Sequence, residues 1–305
     1  MFTTIVVGID GREGGRDALA LGERLRRLFG GELVAVHAYP YDFFLSRAST
    51  PDFESALHGN AQGLIADELE RAGVTAHTMA LPDGSPGRAL HMAAKWHESD
   101  LIVVGSDHRG PVGRVLAGDV TAGTLHGARC PVVVAPCRYA EHGGDIRTIG
   151  VGYDGSRESH AAARLAAELT TAIGARLRVI LVLESPTPGG EGLGYDRAWE
   201  ERAAATRREA QRRLDDLLEE LGDIATGEVV IGSPVRELCY AANDFDLLVT
   251  GSRGYGPVRR VMLGSTSSQL THQAPCPVLV LTRTAVEDEF GDAEERARRP
   301  IAGRR

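Results

Sequence analysis

The chain has 305 residues, of which 43% are hydrophobic and 25% are charged, close to the averages for soluble globular proteins. Its formal net charge is −8, which does not favour nonspecific binding to nucleic acid or anionic membrane, because both attract clusters of Lys and Arg. No apolar run reaches the roughly 18 residues that span a bilayer, and the first ten residues read as a strand rather than a signal peptide. We therefore predict a cytoplasmic protein without a membrane or nucleic-acid partner.

The four cysteines, Cys130, Cys137, Cys239 and Cys276, are spread along the chain. None of them forms a Cys-x-x-Cys pair, and no His lies at metal-ligand spacing from any of them. This pattern predicts reduced structural thiols, which suit the cytoplasm, and no metal site.

Four pairs of matching segments show an internal repeat. Asp10 and Asp154 lie 144 residues apart in one pair, and Gly105 and Gly251 lie 146 residues apart in another. The almost constant offset indicates two tandem domains of one fold, with short insertions between the matches. In chain order, the pairs are IVVGIDGREGGRDAL (5–19) with IGVGYDGSRESHAAA (149–163), DGSPGRAL (83–90) with IGSPVREL (231–238), DLIVVGS (100–106) with DLLVTGS (246–252), and RCPVVVAP (129–136) with PCPVLVLT (275–282).

Within each half, short β-branched runs alternate with helical patterns. The strands are nearly continuous apolar runs, which is typical of a parallel sheet covered on both faces. Five strands and four helices in strict alternation predict an open, doubly wound, Rossmann-like α/β sheet. In the second half the predicted strands lie in TIGVGYD, RLRVILVLE, GEVVIG, FDLLVTGS and CPVLVLT.

These patterns place one domain, the first half, at residues 1–138 and the other, the second half, at residues 146–285. Each is expected to contain a five-stranded parallel sheet. Residues 139–145 (YAEHGGD) are polar and contain two glycines, which is typical of a linker. The charge-rich residues 286–305 predict a disordered tail.

Glycines follow the fourth strand of the second half in the spacing Gly-x2-Gly-x9-Gly-Ser. Gly251 and Gly254 permit close approach of the backbone to a ligand, and Gly264 precedes a predicted helix. The first residues of that helix are Ser265, Thr266 and Ser267. Free N–H groups and the helix dipole favour an anion at such a position. The spacing predicts a phosphate-binding loop. The alternative is that the glycines form turns and the first serine only caps the helix.

The glycine-rich segment from Gly251 to Ser267, together with VGYDGS (151–156) and APCPVLVL (274–281), resembles the sequences of the universal stress protein family. The resemblance covers both halves and leaves out only the extreme C-terminus. The Gly-x2-Gly-x9-Gly-[Ser/Thr] pattern is that family's nucleotide-binding motif. The resemblance therefore implies that the second half binds ATP, with a requirement for Mg²⁺ left open.

The resemblance also implies roles for single residues. Asp154 would contact the adenosine end of the nucleotide, and Val182 would lie against adenine. Each has a structural alternative, Asp154 as a turn residue that caps the first helix of its half and Val182 as a core residue. Arg253 could reach the phosphates or lie solvated at the surface. The residues that would hold ribose and phosphates are Gly251, Gly254, Gly264 and Ser265.

The first half departs from this motif. Gly105 and Gly118 are present, but His108 stands in place of the second glycine and Asp119 in place of the serine. Asp119 puts a carboxylate where a phosphate would sit, and two like charges a few ångströms apart repel by several kcal/mol. We therefore predict that the first half binds ATP weakly or not at all.

Three functions compete at this stage. The chain could be a nucleotide-responsive regulator of stress adaptation, a slow ATPase, or a scaffold that works through dimerisation alone. Hydrolysis needs a placed water, a base and usually Mg²⁺, and the motif offers no second carboxylate, so catalysis is not the main expectation. The family resemblance also implies that the fifth strands of the two halves pair within the chain as a pseudo-dimer, while a homodimer of chains stays open.

Overall fold

The computed structural model describes residues 2–40, 51–106, 120–184, 197–252 and 264–282. The elements of the first half are, in order, β1 (Thr4–Gly8), α1 (Glu13–Phe29), β2 (Glu32–Tyr39), α2 (Pro51–Ala72), β3 (His77–Pro82), α3 (Pro86–Trp96), β4 (Leu101–Gly105), α4 (Val120–Leu125) and β5 (Val132–Ala135). After α5 (Tyr139–His142), the second half contains β6 (Thr148–Tyr153), α6 (Arg157–Ile173), β7 (Arg176–Leu183), α7 (Arg197–Leu221), β8 (Ala225–Ile231), α8 (Pro234–Ala241), β9 (Leu247–Gly251), α9 (Ser265–Gln273) and β10 (Val278–Leu281).

The strands form one ten-stranded sheet in the order β3-β2-β1-β4-β5-β10-β9-β6-β7-β8. All pairs within a half are parallel, and each half has the same doubly wound order. The halves join where β5 and β10 pair antiparallel, with Val133 opposite Leu279. The alternating α/β architecture predicted from the sequence is thereby confirmed. The antiparallel pair also covers two strand edges that would otherwise be open to aggregation.

Helices cover both faces of the sheet. On one face, α1, α2, α6 and α7 pack against strand residues such as Val7 and Val151. On the other face, α3, α4, α8 and α9 pack against strand residues such as Val6 and Leu248. Successive strand residues point to opposite faces, so strands covered on both sides must be apolar throughout. That requirement explains why the strand segments read as continuous apolar runs.

Residues 138–142, which include part of the predicted linker, lie against α1. The carboxylate of Asp17, itself buried, accepts the backbone N–H of Arg138 at 2.9 Å and that of Ala140 at 2.8 Å. The ring of Tyr139 is also buried. These contacts anchor the chain between the halves to the first helix.

Two thiols lie beside the junction of the halves. Cys130 precedes β5 and Cys276 precedes β10, and both are buried. Burial raises the pKa of each thiol to about 12. The hydroxyl of Thr282 crosses the junction and donates to the carbonyl oxygen of Ala128 at 2.9 Å. The junction is therefore a packed interface whose cysteines stay protonated near neutral pH.

Thiol reactivity tests this arrangement. The thiolate is the reactive form, so at pH 8 we expect an alkylating reagent to modify the exposed Cys137 while Cys130 and Cys276 stay unmodified until the chain unfolds. Peptide mass spectrometry after timed alkylation measures each rate, with Cys137→Ser as the control. Equal rates at all three positions in the folded chain would contradict the buried junction.

Within the described ranges, no helix is long and apolar enough to cross a bilayer.

Candidate functional site

The candidate site lies at the carboxyl edge of the second half, where the strand order reverses. β6 pairs with β7 on one side and with β9 on the other, so the connections after β6 and β9 lead away from each other. Ligands of doubly wound sheets bind outside the carboxyl ends of the strands at such a point. Asp154 follows β6, and Gly251 ends β9.

The start of α9 is fastened to the end of β9. The N–H of Gly264, the N-cap residue, donates to the carbonyl oxygen of Ser252 at 2.7 Å, and the N–H of Ser268 donates to the carbonyl oxygen of Gly264 at 3.0 Å. Within the described part of the chain, no side chain caps this helix. The first N–H groups of a helix have no acceptor inside it, and the helix dipole makes this end positive. An anion fits the first turn, in which Ser265 is exposed and Thr266 is half-buried.

Ser267 is also in this turn, but its hydroxyl is used by the fold. The side chain is buried, and the hydroxyl donates to the carbonyl oxygen of Gly251 at 2.6 Å. In the first half Thr121 donates to Gly105 in the same way, at 3.0 Å. The bond therefore fixes the helix to its strand in both halves. The backbone N–H of Ser267 is one of the first-turn groups that have no acceptor inside the helix.

Replacing Ser267 separates the structural role of its hydroxyl from a role in ligand binding. We expect Ser267→Ala to lower the free energy of unfolding by about 1 kcal/mol, because one buried hydrogen bond to Gly251 is lost, while ATP affinity falls less than tenfold. Chemical denaturation and calorimetry measure the two effects, and Thr121→Val is the matched variant of the first half. A large loss of affinity at unchanged stability would make the hydroxyl a ligand group instead.

Gly251 has a packing role that its spacing in the motif does not reveal. A Cβ at this position would lie 2.7 Å from the carbonyl carbon of Glu158 in the first turn of α6. At Gly105 a Cβ would lie 2.0 Å from the carbonyl oxygen of Gly14 in α1. Such distances are far below van der Waals contact, so both positions require glycine whether or not a ligand binds. This explains why Gly105 is present in a half whose motif is altered.

Asp154 holds the turn between β6 and α6. Its Oδ1 accepts the N–H of Ser156 at 2.9 Å, and the Ser156 hydroxyl accepts the N–H of Ser159 at 3.1 Å as the cap of α6. Asp10 makes the same turn in the first half, where Oδ1 accepts the N–H of Arg12 at 2.9 Å. The turn role considered for Asp154 is therefore present, but the residue that caps α6 is Ser156 and not Asp154. The side chain is also exposed, so its carboxylate is accessible to a ligand.

Val182 lies near the end of β7, half-buried. It packs on the same core layer as Leu238 of α8 and Leu270 of α9. Val182 and the first turn of α9 are therefore on the same face of the sheet. A single ligand that contacts an apolar wall at Val182 and an anion site at α9 requires this arrangement.

Ser252 is a candidate site residue that the sequence reasoning missed. It is 7% exposed, and its hydroxyl has no hydrogen-bond partner among the described residues. In the first half the hydroxyl of Ser106 lies 3.3 Å from the sulfur of Cys137. A buried hydroxyl without a partner is uncommon. The signal in the sequence was the Gly-Ser pair after the fourth strand of each half.

The carboxyl edge of the first half carries different groups. Asp83, buried at the end of β3, accepts Nε of Arg88 at 2.7 Å and Nη2 at 2.6 Å. These hydrogen bonds from Arg88 lower the pKa of Asp83. The matching position of the second half is Ile231, which is 52% exposed. His37 of β2 corresponds to Leu181 of β7. The Nδ1 atom of His37 is 2.7 Å from the carbonyl oxygen of Ile9.

Several predicted residues lie outside the described part of the chain. They are Arg253 and Gly254 in the motif, and His108, Gly118 and Asp119 in the first half. Residues 286–305 also lie outside it. Among the described residues, no group of three or more His, Cys, Asp or Glu side chains is arranged to hold a metal ion.

The fold and the edge residues define a protein with two doubly wound α/β units, each with a strand-order reversal at its carboxyl edge. The model of the universal stress protein family matches residues 1–136 and again residues 145–282. The chain therefore belongs to the universal stress protein family, with two copies of the domain in tandem.

Individual relatives agree with this assignment. A universal stress protein of Mycolicibacterium smegmatis is 28% identical over 294 residues, which cover 91% of this chain and 96% of that protein. One from Thermus aquaticus is 32% identical over 138 residues, which cover 44% of this chain and 98% of that protein. The solved structure of a putative universal stress protein from Pseudomonas aeruginosa has a TM-score of 0.64 at 17% identity, covering 96% of this chain and 98% of that one.

Proposed function

We propose that the chain is an ATP-binding universal stress protein that acts as a nucleotide-responsive regulator in stress adaptation. The second half is the main nucleotide site. The observation that carries the proposal is the start of α9, which no side chain of the described residues caps and which the bond from Gly264 to Ser252 holds against the end of β9. A helix start at a switch point of a doubly wound sheet is suited to a phosphate group.

The remaining groups fit one nucleotide placed along this edge. The phosphates would lie at the N–H groups of the first turn of α9, with Arg253 and Gly254 in the loop before it. Asp154 would accept hydrogen bonds from the ribose hydroxyls or the adenine amino group, and Val182 would cover one face of the base. Ser252 would give its buried hydroxyl to the ligand or to a water molecule bound with it. The residues proposed to form the phosphate cradle are Gly251, Gly264, Ser265, Thr266 and Ser267.

The first half is proposed to bind ATP weakly or not at all. Asp119 and His108, which alter the motif, support this proposal, and so does one ion pair at the carboxyl edge. Asp83 is locked in an ion pair with Arg88 where the second half has the exposed, apolar Ile231. The edge of the first half therefore carries charge at a position where the second half is apolar.

The tandem arrangement supplies the proposed assembly. The antiparallel pair β5–β10 would stand in for the interface between two single-domain chains, so that the chain is a pseudo-dimer of its own halves. A homodimer of whole chains is compatible with this junction.

The unpaired state of the four cysteines fits the proposed cytoplasmic location. The proposed domain limits are 1–138 and 146–285, with the connecting residues bound to α1.

A regulator and a slow ATPase differ in what becomes of bound ATP. One carboxylate oxygen of Asp154 already holds the α6 turn, which favours a binding role over metal ligation, with or without Mg²⁺. We expect ATP incubated with the chain at equal concentration to be recovered intact after an hour, as measured by ion-exchange chromatography. Conversion to ADP that Asp154→Asn abolishes would support the ATPase. A chain that retains no nucleotide at all would favour the scaffold.

A further inference from the structure

A cavity of about 670 Å³ lies on the first half, away from the carboxyl edge. Its lining comes from one face of α1, the C-terminal end of α2, Val74, and two residues of the segment after β5, Ala140 and Asp145. The volume is within the range of small-molecule sites, roughly 300 to 1,000 Å³.

Four arginines line this cavity, and buried carboxylates hold three of them in place. Glu68 is 5% exposed and accepts Nε of Arg16 at 2.9 Å and Nη2 at 3.2 Å, as well as a bond from Arg71. Glu23, also buried, accepts Nε of Arg27 at 2.6 Å. Hydrogen bonds from Arg26 and Arg27 lower the pKa of Glu23, and hydrogen bonds from Arg16 and Arg71 lower the pKa of Glu68, so both carboxylates stay ionised. The guanidinium groups are thereby pre-organised, which reduces the entropy lost when a ligand binds.

The second half shows that the fold does not need these charges. At the positions that match Glu23 and Arg27, α6 carries Ala167 and Thr171, and near the end of α7 the buried Leu217 corresponds to Glu68. Burying an ion pair contributes less to stability than well-packed apolar groups of similar size. Packing alone therefore does not account for the buried carboxylates of the first half.

The lining also indicates the kind of ligand. Four arginines face three carboxylates, so the cavity carries one net positive charge. Leucine, alanine and valine side chains make up the rest of the wall. Arg27 is 68% exposed and, among the described residues, is bonded through Nε alone. A guanidinium has five N–H donors, so Arg27 keeps its Nη groups for an anion.

We propose that this cavity binds a medium-chain carboxylate, with its carboxylate on Arg27 and its apolar chain along Ala20 and Leu28. The site is separate from the nucleotide site of the second half and does not depend on the function proposed above. It gives the chain a second ligand class to which it can respond.

Two variants and one control test the proposal. Ala20→Met extends a side chain into the cavity, and the fold accepts a long side chain there because α6 carries Arg164 at the matching position. Arg27→Gln removes the proposed anion partner from an exposed position. Arg213→Gln is the matched control, since Nε of Arg213 bonds Glu209 at 3.1 Å in α7 with the same four-residue spacing.

The measurement is calorimetry with decanoate below its micelle concentration. 1-Decanol serves as a probe with the apolar chain but no charge, and acetate as a probe with the carboxylate but no long chain. We expect one saturable decanoate site per chain, no binding to Ala20→Met, at least about tenfold weaker binding to Arg27→Gln, and no change in Arg213→Gln. Thermal unfolding followed by circular dichroism should be the same in all four proteins, which shows that each is folded, and ATP binding should also be unchanged. Absence of saturable decanoate binding, an equal loss in Arg213→Gln, or 1-decanol binding as tightly as decanoate would overturn the proposal.

Discussion

Gly264→Asp and Ser265→Asp are each expected to abolish ATP binding while the chain stays folded. Gly264 has φ −60° and ψ 145°, an ordinary conformation for any residue, and Asp is a favoured N-cap. Ser265 is exposed in the first turn of α9, where an acidic side chain suits the helix dipole. A carboxylate at either position would occupy or repel the phosphate, at a cost of several kcal/mol. Affinity should fall by more than about a hundredfold.

Neutral variants of the same size separate charge from shape. Gly264→Asn and Ser265→Asn keep the length of the aspartate side chain without its charge. We expect Ser265→Asn to retain most of the affinity and Gly264→Asn, whose amide oxygen can cap the helix, to lose only part of it. Thermal unfolding of all four variants should stay close to that of the unchanged chain. If the two aspartate variants bind ATP normally, the proposed phosphate cradle is wrong.

Gly105→Ala is expected to destabilise the first half by about 3 kcal/mol or more, although no nucleotide is expected there. The new Cβ would lie 2.0 Å from the carbonyl oxygen of Gly14. Because that atom belongs to the backbone of α1, the helix must move away from β4, and overpacking of this kind costs about 1 to 3 kcal/mol or more. Gly251→Ala should show the same effect in the second half, where the clash is with α6.

A glycine in open space provides the control. A Cβ at Gly63, exposed in the middle of α2, meets no atom within 4 Å. Gly63→Ala should therefore stabilise the chain by about 0.5 to 1 kcal/mol, as expected in a helix interior. Urea titrations followed by circular dichroism compare the three variants. Full stability of Gly105→Ala would refute the packing role assigned to this glycine.

The fold could be predicted from the sequence because its signals are local and occur twice. A continuous apolar run such as the one around Val103 predicts a buried parallel strand, and the matching run around Val249 repeats the evidence independently. The order of strands in each half then follows from the α/β alternation. The contact of Asp17 with the segment after β5 could not be predicted in this way. It joins residues 121 positions apart, and nothing in the polar stretch 139–145 indicates it.

The candidate site could be predicted only in part, for a related reason. Spacing alone drew attention to Gly251 and Ser267, but spacing cannot separate a glycine needed for a ligand from one needed for packing. The structure shows that Gly251 packs on α6 and that the hydroxyl of Ser267 is bonded to the strand. Ser252 was overlooked because its buried, unpartnered hydroxyl becomes evident only once the end of β9 and the start of α9 are seen together.

The most direct test of the account is the number of ATP molecules bound by one chain. Calorimetry on protein stripped of any bound nucleotide, with and without Mg²⁺, measures it. The account predicts one site per chain, at the start of α9. Two sites would contradict the assignment of the first half as a weak or inactive copy, and no binding at all would contradict the proposed function.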